Sequence, residues 1–138
     1  MNKKQLIVVW VVLVLLITTP LFAQDKHPID KLLDECLDKN PSTKGMCECG
    51  EEALKQWDTE LNKYYKLLMG ILEKNSKKRL VESQLVWLKF RDSEFKFIEE
   101  GYFRDVGSYI GPTKISNKVD IVKARTLELK EYYDTVKD

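Results

Sequence analysis

Apolar residues recur along most of this chain at intervals of three and four, and polar clusters interrupt the rhythm. Behind Pro28, at a position where a first helical turn tolerates proline, come Ile29, Leu32, Leu33, Cys36 and Leu37. That spacing predicts a short helix from Pro28 to about Lys39. "NPSTKG" ends it and offers Ser42 or Thr43 as the next cap. Met46, Cys49, Ala53, Trp57, Leu61, Tyr64, Leu68 and Ile71 then step by three and four without a break, which predicts a second helix of about 30 residues. After "EKNSKK", where Asn75 or Ser76 can cap, Leu80, Gln84, Trp87, Arg91, Phe95 and Ile98 form the stripe of a third. A short loop between two long helices predicts an antiparallel hairpin. Residues 101–118 hold three glycines and a proline and read as an irregular connection. Asn117 with Asp120 is expected to open a last helix, with Ile121, Val122, Arg125, Leu129, Tyr132 and Tyr133 as its inner face.

The N-terminus breaks this pattern. "MNKK" is a short basic head, the 12 residues Leu6 to Ile17 are all apolar, and "TTPLFA" ends on a small residue. The combination resembles a secretory signal peptide. The run is short for a membrane span of about 20 residues, and Pro20 precedes a plausible cut after Ala23. Residues 1–23 are therefore set apart from the fold, and 24–138 is expected to be one exported domain, periplasmic or secreted, with no membrane attachment after cleavage. No cysteine follows the cut to carry a lipid.

Without Lys3 and Lys4 the basic count falls from 23 to 21, against 22 acids. A nearly neutral chain does not resemble a nucleic-acid binder. The charge is uneven, however: residues 24–60 hold ten acids and five bases, residues 61–100 six acids and nine bases. The acidic and basic segments are expected to face each other.

Export changes how Cys36, Cys47 and Cys49 are read, since an oxidising compartment favours disulfides in a small domain. Cys47 and Cys49 are too close to pair with each other, so the natural bridge joins Cys36 to one of them and contributes about 3 kcal/mol. Three thiols and His27 give no recognised zinc spacing, and no metal or cofactor is expected. The expected fold class is all-α: a small helical bundle built on a long antiparallel helix hairpin, with a short disulfide-tethered N-terminal helix and a C-terminal helix.

One residue on the third stripe is out of character. Arg91 lies on an apolar face, and a buried guanidinium needs acceptors. In the second helix Asp58, Asn62 and Tyr65 make a polar seam at i, i+4 and i+7. Across an antiparallel pair Asp58 and Asn62 are the expected partners of Arg91, with Gln84 nearby, in a network that fixes helix register. An acid–base site at Asp58 and Arg91 would lack a nucleophile and a histidine, so the structural role is preferred.

These residues carry a resemblance. D-x-x-L-N-x-x-Y followed by Q-x-x-W-x-x-x-R-D, here Asp58, Leu61, Asn62, Tyr65, Gln84, Trp87, Arg91 and Asp92, is similar to the N-terminal domain of the LprI-type lysozyme inhibitors. The resemblance covers roughly residues 30–100 and implies a small exported helical protein. It also implies the bridge Cys36–Cys49 and leaves Cys47 as the extra thiol. Many relatives carry a cysteine where this chain has Phe95, so a second disulfide is missing here.

The function implied is that of a binding protein with a protein partner, blocking a lysozyme or another muramidase. Retaining glycosidases carry two carboxylates in their cleft, and Arg104, Ser108 and Tyr109 in the connection are candidate donors to them. Their structural alternative is loop closure. The competing reading is an envelope interaction or stress protein of the same family with no lysozyme target. An enzyme is the least supported class, because one histidine, no activated serine and no carboxylate pair leave no catalytic constellation. Cys47, unpaired in an oxidising compartment, is expected to give a disulfide-linked dimer.

Overall fold

The computed structural model describes residues 26–101, 107 and 110–137, which form four helices. They are α1 (Pro28–Lys39), α2 (Thr43–Ile71), α3 (Lys74–Glu100) and α4 (Ile110–Val136). Among the described residues there is no strand, and the all-α bundle expected from periodicity is what the chain builds. The signal-peptide segment 1–23 lies outside the described residues.

Local chemistry accounts for the helix starts. α1 begins with Pro28, and the His27 ring nitrogen accepts from the Ile29 N–H at 3.3 Å. Ser42 caps α2 by accepting from the Gly45 N–H at 3.0 Å. α3 starts earlier than Asn75 or Ser76 would place it: Glu73 is the cap, without a side-chain bond, and its carbonyl accepts from the Lys77 N–H at 2.9 Å. Only Leu72 and Glu73 separate α2 from α3, and Leu72 turns inward against the core, so the chain reverses at the first residue of the polar cluster.

The larger correction concerns α4. It opens at Ile110, inside the segment expected to be irregular, and not at Asn117. Pro112 falls in the first turn, where its missing N–H is not needed. Gly111 lies beside Cys47, and a β-carbon there would stand 3.0 Å from the sulfur. Packing against α2, which glycine content does not reveal, decides the start.

The closest helix packing is also not within the hairpin. α2 lies tightest against α4, while α3 meets α2 with fewer close approaches. Gly50 shows why: a β-carbon there would be 2.6 Å from Cγ2 of Ile115, so the glycine lets the two backbones approach. The core centres on Trp57, which is fully buried among Ile29, Ala53, Leu61, Val122 and Leu129. His27 stacks on its indole at 4.3 Å between centroids, and Lys123 sits 5.5 Å above it while pairing with Asp30 at 2.6 Å. The Thr126 hydroxyl donates to the Trp57 carbonyl at 3.2 Å and to the Val122 carbonyl at 2.8 Å. α1 is tied to α2 by the disulfide Cys36–Cys49. Cys47 is free and half-buried.

Two pairs of variants test this packing. Gly50→Ala should lower stability by about 1–2 kcal/mol through overpacking against Ile115, whereas Gly70→Ala, which meets nothing within 4 Å, should gain up to about 1 kcal/mol from helix propensity. Cys49→Ser should lose about 2–4 kcal/mol. Cys47→Ser should leave the thermal melt in place and remove any disulfide-linked dimer from a non-reducing gel.

Candidate functional site

Between α2 and α3 lies an open groove of about 380 Å³. Its polar lining is Asp58, Asn62, Tyr65, Gln84 and Arg91, and its apolar lining is Leu61, Val81, Leu85 and Leu88. Six of the eight motif residues thus converge on one concave surface. The other two support it from outside: Trp87 packs against the core, and the exposed Asp92 holds Arg91.

Arg91 is placed differently from expectation. Its Nε and Nη2 donate to Asp92 Oδ1 at 2.9 and 2.6 Å, and its Nη1 stands 4.0 Å from Asp58 Oδ1, at the outer limit of an ion pair. The guanidinium lies near the Trp87 and Phe95 rings, at 5.6 and 5.8 Å, and a quarter of the side chain is exposed. A long stem covers apolar surface while the head reaches the rim, so full burial of the charge is avoided and no larger acceptor network is required. Asn62 serves its own helix instead, donating to the Asp58 carbonyl at 2.8 Å and to Asp58 Oδ2 at 3.1 Å.

The buried arginine is Arg125, on α4. It is 7% exposed, with Nε donating to Gln84 Oε1 at 3.1 Å, Nη2 to Ser83 Oγ at 3.2 Å and Nη1 to Glu128 Oε2 at 2.6 Å. The Tyr132 hydroxyl donates to the other Glu128 oxygen at 2.6 Å. That bond, and then the Arg125 guanidinium, hold the Glu128 carboxyl below the usual range, and Glu128 in turn pushes the Tyr132 phenol up. Arg125 occupies the inner stripe of the last helix, between Val122 and Leu129. The anomaly that singles out Arg91 in the sequence was therefore equally present at Arg125, and the structure assigns Gln84 to it.

α3 is fastened to α4 at its far end as well. Glu99 pairs with Lys118 and with Lys114 at 3.3 Å, and Lys114 also donates to the Glu99 carbonyl at 2.9 Å. The Lys118 bond is the main cause that keeps the Glu99 carboxyl below its usual range. Arg104, Ser108 and Tyr109, the candidate partner-binding residues of the connection, lie outside the described residues. Among the described residues no three His, Cys, Asp or Glu side chains gather to hold a metal ion. No described helix is long and apolar enough to cross a membrane.

The family model described as "Lysozyme inhibitor LprI" matches residues 36–129, which spans the disulfide, the whole motif and the core of α4. The chain belongs to the LprI family. Among solved structures, this LprI chain is similar to an uncharacterised protein from Burkholderia thailandensis, with 26% identity and a TM-score of 0.75. The similarity covers 81% of this chain and 56% of that one, so the LprI unit spans little more than half of the solved protein. No curated protein matches the chain. The LprI match begins at Cys36 and ends at Leu129, and therefore includes both Gln84 and Arg125.

The two arginines predict opposite outcomes in thermal or urea melts. Arg125→Ala should cost about 2–3 kcal/mol, since it strips Gln84 and Ser83 of their buried partner. Arg91→Ala should cost less than about 1 kcal/mol, as expected for a pair at the surface.

Proposed function

We propose that this chain is an exported binding protein that blocks a lysozyme or another muramidase and catalyses no reaction of its own. The observation that carries this reading is the LprI match over residues 36–129. The apolar run Leu6 to Ile17, followed by Ala23, supports export. Protein partners are met through exposed apolar and aromatic side chains rimmed by polar ones. On α3, Leu85, Val86 and Phe90 are each more than half exposed, and they stand on the same helix as one wall of the groove. Arg104, Ser108 and Tyr109 are retained as the donors proposed to meet the two carboxylates of a muramidase cleft.

The test is the rate at which a lysozyme clears a cell-wall suspension, measured with and without the exported protein. Clearing should slow as the protein approaches equimolar ratio, and Phe90→Asp should restore the rate while leaving the melt unchanged. Intact mass of the exported protein should place its first residue at Gln24 or within two residues of it. If no lysozyme is slowed, the inhibitor reading fails and the envelope interaction protein replaces it.

A further inference from the structure

We propose that the groove between α2 and α3 is a binding site for an acetamido group, of the kind carried by N-acetylated amino sugars. The proposal goes beyond inhibition and does not depend on it. It begins at Gln84, which is 7% exposed yet lines the groove. Arg125 Nε donates to its Oε1. A guanidinium has no acceptor, so the amide oxygen must face it and the NH₂ must face away. Among the described residues nothing accepts from that NH₂. Nor is it sealed in, because the Trp57 indole nitrogen is the one fully buried side-chain nitrogen or oxygen among them that lacks a partner. The groove is the opening it faces.

Asp58 offers the complement from the other helix. Asn62 takes its Oδ2, while Oδ1 meets Arg91 only at 4.0 Å. An amide meets both demands, accepting from Gln84 through its oxygen and donating to Asp58 through its N–H. A carboxylate would meet Asp58 beside Arg91, and an ammonium would meet Arg91 and the Gln84 donor beside Asp58, so neither charge is favoured over a neutral group. Leu61, Leu85 and Leu88 supply apolar wall for the acetyl methyl and a ring face, and Tyr65 adds an aromatic side chain to the lining. At about 380 Å³ the space is near the lower end of small-molecule pockets, about 300–1,000 Å³. An extended peptide is the poorer fit, since both walls are helices whose main-chain groups are already paired and leave no ladder to join.

Calorimetric titration of the exported protein alone, with chitotriose and with cellotriose, tests this directly, because the two trisaccharides differ at the acetamido position. Chitotriose should bind, and cellotriose should bind at least about tenfold more weakly, the loss expected for a missing pair of hydrogen bonds. Gln84→Glu keeps an oxygen for Arg125 but removes the donor, and should lose about tenfold or more in chitotriose affinity with an unchanged melt. Equal binding of the two sugars, no binding of chitotriose at millimolar concentration, or a folded Gln84→Glu protein with full affinity would each overturn the proposal. So would a tripeptide without an acetyl group that binds as tightly as chitotriose. A protein that slows lysozyme but ignores chitotriose sinks the sugar site alone, and one that binds chitotriose without slowing lysozyme sinks the inhibitor reading alone.

Discussion

The burial of Trp57 is the constraint from which the rest of the structure follows. An indole is the largest side chain a core can hold, and shielding all of it takes atoms from more than one neighbour. Here His27 covers one part, Lys123 another, and Thr126 binds the carbonyl of the same residue. These contacts draw α4 and the start of α1 onto α2, and Gly50 removes the β-carbon that would keep α2 and α4 apart. Among the described residues the indole nitrogen has no partner, a local cost that the apolar contacts around the ring outweigh.

With α2 and α4 locked together, α3 is left to attach largely through side chains. It reaches α4 through Gln84, Ser83 and Glu99, and it reaches α2 with fewer close backbone approaches. The space remaining between α2 and α3 is the groove. Its existence and its polarity have one origin, because the polar residues that would be costly in a dry interface line a wet one instead.

Much of this was legible in the sequence. The apolar stripe of α2 runs long enough that its bounds could be read to within a residue or two, and the cap is Ser42, one of the two candidates its chemistry offers. The motif residues were identified as a group, but their arrangement was not. Periodicity places Arg91 on an apolar face without saying how deep that face is buried, and a flexible stem lets the charge escape to Asp92. Arg125 carried the same signal in a helix whose start was obscured. Gly111 and Pro112 mark a loop on local preference, and only the approach of Cys47 to Gly111 and of Ile115 to Gly50 explains why they open a helix.

Arg125 takes no part in lining the groove, yet it determines which end of the Gln84 amide looks into it. The recognition properties of one helix pair are therefore written partly on a third helix. Positions 84 and 125 are joined by that hydrogen bond, so a change at either one removes the partner of the other. Among relatives that keep the groove but differ in α4, an unchanged lining would not guarantee an unchanged ligand.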